Sequence, residues 1–421
     1  MILGGIFVKH RIIFHIDVNS AYVSWEAAYG LQQGKKVDLR DIPSIVGGDE
    51  SKRHGIVLAK SIPAKEYKIL TGESIYSARQ KCPNLTIVPP NYELYIKASS
   101  SMVDLLKEYS PYIQRYSIDE VFMDYSYIDG EDFLDTAYEI KDRIKRELGF
   151  TVNIGIGPNK LLAKMASDFK KPDRIHTLFY YEIEDKMWPL PIEELFMVGA
   201  RTKTKLNKRG VFTIGELAKL DREYMYSWLK KPGLTLWEYA NGIEDSPVRN
   251  CPPPVKSIGN STTTSYDVDN KEECYMFLLG LSEMVGMRLR DIEQRGRVIS
   301  VSLKNDQFHS YSHQIKLDTP TDSTNIIYRV SKKLFDAMWN GEAIRRFSIS
   351  ISELSSNEFC QLSLLEDYDE REEILDQTID SIRYRYGYNS VIRSCFLHSG
   401  INPIIGGVVA EKDYPMMSSI F

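Results

Sequence analysis

The stretch IIFHIDVNSAY, running from Ile12 to Tyr22, decides the fold. Ile12, Ile13, Phe14, Ile16 and Val18 make a nearly continuous apolar, β-branched run, the composition of a buried strand. Asp17 stands at the end of that run, and Asn19 and Ser20 turn the chain into a helix carrying Tyr22, Val23, Trp25 and Ala28, with Ser20 as its expected cap. The strand therefore delivers a carboxylate to the rim of a sheet.

Working outward, the run YSIDEVFMD (Tyr116 to Asp124) reads as the middle of a hairpin. Its strands are expected at Ile113–Tyr116 and Val121–Tyr125, with Asp119 and Glu120 at the tip in apolar and aromatic surroundings. Short strands are expected at Ser44–Val46 and Ile56–Ala59, and helices at Ser74–Lys81, Glu93–Glu108 and Asp132–Leu148. A strand over Thr151–Ile156 closes on Gly157, Pro158 and Asn159 before a helix from Lys160 towards Phe169. This order predicts an α+β sheet with helices on one face. Short helical signals follow from Leu190 to Gly242, then the stiff run Cys251 to Val255, the best linker in the chain. Residues 258–353 alternate strand and helix again, and 361–395 contain an acidic helix with an Arg/Tyr-rich end that either packs back or binds DNA.

The bulk numbers set bounds. A length of 421 residues implies two to four domains. No apolar run approaches the roughly 18 residues that span a bilayer, which predicts no membrane association and a cytoplasmic protein. The apolar Met1 to Val8 is read as a short extension before the first strand. Five scattered cysteines lack CxxC spacing, which excludes a zinc knuckle or redox pair and fits reduced thiols. Net charge is -5, unevenly spread: residues 201–350 carry 23 Lys/Arg against 18 Asp/Glu, and 351–421 carry 5 against 12. A basic middle is compatible with nucleic-acid backbone binding.

Nucleotidyl transfer needs two divalent cations about 3.5–4 Å apart, held by carboxylates that converge from strand ends. Asp17, Asp119 and Glu120 are candidates for that set, and the carbonyl of Val18 for a further ligand. From spacing alone, a solvated acidic turn and a helix cap remain open as the alternative.

The same stretches resemble a known family. IIFHIDVNSAY, YSIDEVFMD, GIGPNKLLAK (Gly155 to Lys164), and Lys256 to Gly259 followed by Thr262 and Thr263, resemble successive motifs of the Y-family DNA polymerases. They occur in the family's order across residues 11–353 and do not separate two bacterial branches of it. The resemblance implies a right hand: palm at 1–25 and 86–178, fingers at 26–85, a helical thumb with a helix-hairpin-helix at 179–248, a linker at 249–257, and a tethered α+β little finger at 258–353. An acidic C-terminal segment covers 354–421. It implies a low-fidelity DNA-directed DNA polymerase acting in translesion synthesis without a proofreading exonuclease, with two Mg2+ ions on Asp17, Val18, Asp119 and Glu120.

By the same resemblance, Tyr22 is the steric gate that excludes a ribose 2′-OH, and Lys65 and Lys171 contact the dNTP triphosphate. Lys65 stands where relatives carry Arg, and Ile62 where many carry a phosphate-binding Tyr; Asn19 replaces a second Asp. Leu58 and Ile56 are expected to face the nascent base pair. Gly199 and Lys203 in the thumb, and Arg295, Arg297 and Arg345 in the little finger, are expected phosphate contacts with primer-template DNA. Gln361, Leu362, Leu364 and Leu365 resemble a peptide for the bacterial sliding clamp (beta subunit). The protein is expected to be monomeric. Two rivals are a catalytically weak DNA- and clamp-binding accessory of the same fold, and another palm-type enzyme such as a nucleotidyl cyclase, which would need neither basic thumb nor little finger.

Overall fold

The structure is a computed structural model that describes residues 11–48, 55–127, 132–251, 253–357 and 370–403. It divides into two compact units that meet in sequence at Pro253 and Pro254.

The first unit contains β1 (Ile13–Val18), α1 (Ala21–Gln32), β2 (Ser44–Gly47), β3 (Val57–Lys60), α2 (Ile62–Glu66), α3 (Ile75–Lys81), β4 (Thr86–Val88) and α4 (Tyr92–Lys107). It continues with β5 (Ile113–Arg115), β6 (Glu120–Asp124), α5 (Phe133–Arg143), β7 (Val152–Gly157), α6 (Lys160–Asp168) and β8 (Ile175–Thr177). The main sheet has the order β5-β6-β1-β7-β8. β1 is central and antiparallel to both β6 and β7, which is why every residue of it is buried.

Alternation along β1 assigns its two faces. Phe14, Ile16 and Val18 pack into a core with Tyr95 and Leu106 of α4 and Ala137 and Ile140 of α5. Ile13 instead meets Ala163 of α6, and the imidazole of His15 bonds Ser167 just beyond it. The sheet is thus covered on both faces, not on one as the sequence order predicts. The second cover depends on Gly155: a Cβ there would lie 1.9 Å from the carbonyl oxygen of Ala163. Only a bare backbone lets α6 lie this close to β7.

From α1 to α6, helix starts follow capping chemistry, with one exception. Ser61, Ser74, Asn91, Asp132 and Asn159 accept backbone N–H groups at the heads of α2, α3, α4, α5 and α6. Ser20 does not cap α1. It sits at φ 49° in the left-handed region and offers only its backbone oxygen, to Ser24. The sharp bend it makes takes the chain directly from Asp17 into the helix.

A three-stranded sheet β3-β2-β4 closes over Ile45, Val57, Ile69 and Ile75. Among the described residues the unit continues with the α-helices α7 (Ala200–Asn207), α8 (Ile214–Ala218), α9 (Arg222–Leu229) and α10 (Lys231–Ala240).

The second unit comprises β9 (Ser257–Val268), α11 (Lys271–Asp291), β10 (Gln294–Asn305), β11 (Ser310–Thr321), α12 (Thr324–Met338), β12 (Ile344–Ser356) and α13 (Glu370–Tyr386). Its antiparallel sheet has the order β11-β10-β12-β9. Ile299, Val301, Leu303, Phe347, Ile349 and Ile351 form the inner face, against Leu278, Leu281 and Val285 of α11. The acidic helix α13 packs back within this unit: Arg290 pairs with Asp376 and Asp380, and Arg383 with Glu283. Among the described residues, no helix is long and apolar enough to cross a membrane.

Candidate active site

The register of the main sheet brings the carboxylates together. Asp17 lies directly opposite Glu120 across the β1–β6 pairing, and the N–H of Val18 donates to the carbonyl of Asp119 at 3.0 Å. The hairpin tip is pinned by two bonds from the N–H groups of Tyr116 and Ser117 to the carbonyl of Glu120, at 2.9 and 3.1 Å. The Ser117 hydroxyl adds a third tie, donating to the Asp119 carboxylate at 2.5 Å. Asp17, Val18, Asp119 and Glu120 all line one cleft of about 950 Å³, together with Tyr22, Lys65, Lys164 and Lys171.

Two lysines stand against these acids. The ammonium of Lys164 donates to Glu120 at 2.8 Å and lies 5.1 and 5.6 Å from the ring centroids of Tyr116 and Phe196. Lys171 donates to Asp17 and pairs with Asp168 at 2.8 Å. The turn that carries Lys171 is tied down by Asn19, whose side-chain oxygen accepts the N–H of Asp173 at 2.9 Å and the hydroxyl of Thr151 at 3.0 Å. Asn19 thus braces the loop.

The electrostatics are divided. Burial pushes the carboxyl of Asp17 up against the pull of Lys171, and Glu120 adds to the rise. Burial likewise raises Asp119, again with a contribution from Glu120. For Glu120 burial acts in the same sense, but His15 and Lys164 outweigh it and hold the carboxyl down to about 2. Burial, then Lys164, lowers His15 beneath the site.

One buried acid, Asp17, and two half-buried ones, Asp119 and Glu120, offer hard oxygen donors, and two of the three carboxyls are held up by burial; such a set suits a cation of higher charge than an ammonium. Among the described residues no three His, Cys, Asp or Glu side chains are drawn close enough to hold an ion as they stand. Lys164 and Lys171 take up the carboxylate oxygens instead. A divalent ion would share those oxygens, so the donor set fits one once Lys171 yields Asp17.

Other expected residues are distributed as follows. Leu58 and Ile62 line the cleft, whereas Ile56 is not among its lining residues. Gly199 stands at the head of α7, and the Lys203 ammonium pairs with Glu193 at 2.6 Å on the surface. In the second unit, Arg345 and Lys304 flank the exposed ring of Phe308 at 4.9 and 5.0 Å, and Arg297 is half-buried. Arg295 is a correction. Its guanidinium is only 7% exposed and pairs with Glu373 at 2.9 Å and Asp322 at 3.5 Å, so it ties α13 down and does not face a ligand. Gln361, Leu362, Leu364 and Leu365 lie outside the described residues.

Three features escape the sequence expectations. Lys164 and His15 lie inside quoted motifs, but their contacts to Glu120 depend on α6 crossing the sheet. The third is the outer face of the second sheet, where Ser302, Ser348 and Ser261 align across three strands beside Ser300, Ser350 and Gly259. Period-two serines at 300 and 302, and at 348, 350 and 352, carried that signal.

Comparisons with known proteins agree with this geometry. The impB/mucB/samB family profile matches residues 16–168, and the profile of that family's C-terminal domain matches residues 255–364. A protein of Clostridium acetobutylicum named DNA polymerase IV is 49% identical over 92% of this chain and 98% of its own length. Another of that name from Acetivibrio thermocellus is 40% identical over 94% and 100%. DNA polymerase IV 2 of Bacillus subtilis is 36% identical over 93% and 95%. Among solved structures, a chimeric Y-family DNA polymerase matches with a TM-score of 0.70 at 21% identity, covering 82% of this chain and 100% of that one.

Proposed function

Since the chain belongs to the Y-family of DNA polymerases, we propose that Asp17, Asp119 and Glu120, with the carbonyl of Val18, hold two Mg2+ ions in the cleft. The chain is a DNA-directed DNA polymerase of translesion synthesis, with DNA and dNTPs as substrates and a dependence on divalent metal. When bound, the metal pair lowers the pKa of the primer hydroxyl and offsets charge developing on the phosphates. The single observation that supports the assignment best is the cross-strand pairing of Asp17 with Glu120, beside Asp119.

The remaining roles belong to this chain's own groups. Lys171 exchanges Asp17 for the incoming triphosphate, to which a compact ammonium is suited. Lys65 approaches the same phosphates from α2. Tyr22 lies under the deoxyribose and clashes with a 2′-OH. Lys164 stays on Glu120 and orients it. The serine-rich outer face of the second unit, with Lys304, Arg297, Arg345 and Arg346, meets phosphates, as Gly199 and Lys203 do in the thumb. Contacts of this kind hold DNA without reading its sequence.

We further propose a monomeric, cytoplasmic enzyme tethered to a sliding clamp through Gln361, Leu362, Leu364 and Leu365. The test of the functional reading is primer extension by the purified full-length chain on undamaged and abasic templates with Mg2+ and each dNTP. Template-directed addition is expected on both. Absence of any addition, with Mn2+ and the clamp also tried, would remove the reading.

A further inference from the structure

One side chain of α4 touches α1 at two places a helical turn apart. The ring of Tyr95 stacks on that of Tyr22, with centroids 4.3 Å apart and planes 12° from parallel. Its hydroxyl donates to Glu26 Oε1 at 2.9 Å. Tyr22 and Glu26 are four residues apart and so share one face of α1. Tyr95 is fully buried, and a buried hydroxyl requires a partner. Here the partner belongs to the helix whose ring Tyr95 supports. Tyr92 closes the side of Tyr22 edge-on at 6.2 Å, and Trp25 lies tilted at 5.9 Å. On its far side Glu26 opens to a second cavity, of about 570 Å³, lined also by Lys35, Lys36, Val37 and Leu39.

We infer that Glu26, acting through Tyr95, is a positioning residue for sugar selection: it sets the height and tilt of the Tyr22 ring. The inference rests on Tyr22 being the sugar gate. The physical argument concerns stiffness. A gate discriminates against one extra oxygen only if its ring cannot retreat when the oxygen presses on it. Tyr22 has Tyr95 directly behind it, and Tyr95 can slide or rotate in its plane unless its far end is held. The bond to a carboxylate holds that end, and it is charge-assisted and therefore among the stronger ones. Glu26 is remote from the phosphates and does not line the catalytic cleft. Its loss therefore softens the gate without removing any group that touches substrate.

The test measures kcat/KM for dCTP and for rCTP opposite a template dG, with the full-length chain and its variants Glu26→Ala, Glu26→Gln, Tyr95→Phe and Tyr22→Ala. In Glu26→Ala and Tyr95→Phe, discrimination against rCTP is expected to fall about tenfold while dCTP insertion stays within about threefold of wild type. Glu26→Gln keeps an oxygen acceptor for the Tyr95 hydroxyl and is expected to retain the wild-type ratio. A merely structural role would lower both substrates in parallel and leave the ratio unchanged. An unchanged ratio in Tyr95→Phe, with discrimination lost in Tyr22→Ala, overturns the inference and leaves the gate standing. Wild-type discrimination in Tyr22→Ala overturns the gate and this inference with it.

Discussion

Lys164 reaches from α6 to Glu120 on β6 and donates to its carboxylate across 2.8 Å. The two residues lie 44 positions apart and meet because α6 crosses the sheet on the face that carries His15 and Asp17. With its side chain only 9% exposed, Lys164 holds Glu120 from the wall of the cleft. Groups that orient metal ligands typically matter 10- to 100-fold. Lys164→Met is therefore expected to lower the rate of dNTP insertion by about that factor and to raise the Mg2+ concentration needed for half-maximal rate. Steady-state insertion across a Mg2+ titration measures both, and an unchanged Mg2+ requirement contradicts the role.

Asp119 is the acid held up by burial with no lysine bonded to it. A carboxyl whose folded pKa lies above its unfolded value binds its proton more tightly in the folded state. Folding stability then falls as pH rises through that range. Ionising Asp119 costs stability as pH rises, and Asp119→Asn removes that cost. The metal-free variant is expected to be more stable than wild type at pH 7, with the difference shrinking as pH falls through the carboxylate range. Glu120 has the opposite sign. Its carboxyl, held down to about 2, contributes stability above the unfolded value that is lost as pH falls through the folded one. Thermal unfolding in EDTA at pH 7 and pH 3.5, for both Asp119→Asn and Glu120→Gln, checks the pair of signs.

Gly155 allows α6 to lie against β7, with a hypothetical Cβ 1.9 Å from a backbone oxygen. Backbone cannot yield as a side chain tip can, so Gly155→Ala displaces the helix that carries Lys164. The expected cost is about 3 kcal/mol or more, together with loss of insertion activity. Urea unfolding of the variant reads the first and primer extension the second. Wild-type stability would show that α6 tolerates the shift.

Glu283 of α11 is buried and accepts from Arg383 at 2.8 Å and from Arg393 at 2.6 Å. Glu283→Ala leaves two guanidinium groups without their acid, one of them only 4% exposed. Removing one partner of a buried pair costs about 3–5 kcal/mol. The expected outcome is early release of α13, seen as amide exchange across residues 370–386 that outpaces the rest of the second unit. Uniform protection would mean that α13 is held by its other contacts.

How far all this was legible depends on the range over which each feature acts. β1, the hairpin at Asp119 and Glu120, and the two α+β regions could be read because their signals are local: apolar runs, a turn, a capping Asn159. The rest depends on residues far apart in sequence. The second cover of the sheet follows from the absence of a side chain at Gly155, which a propensity reading scores only as a weak strand residue. Arg295 looked like a phosphate contact because it lies in the segment that resembles the DNA-holding little finger. Its acid partner Glu373 lies 78 positions later, on a helix that need not have packed there. Ser20 looked like a cap because its residue type is right, yet its backbone is left-handed, not extended, and its side chain makes no cap bond. Family motifs supplied the proposed metal ligands; the lysines that pair with two of them emerged only from packing.

The most direct test of the account is single-nucleotide insertion by rapid quench, comparing wild type with Asp119→Ala on one primer-template in Mg2+, beside a gel-shift measurement of DNA affinity. The account predicts that wild type adds the templated dNTP and that the variant slows by about a thousandfold or more, while its DNA affinity stays within about threefold because the phosphate contacts lie elsewhere. Insertion by Asp119→Ala at a rate near wild type would contradict the assignment of the metal site to these carboxylates.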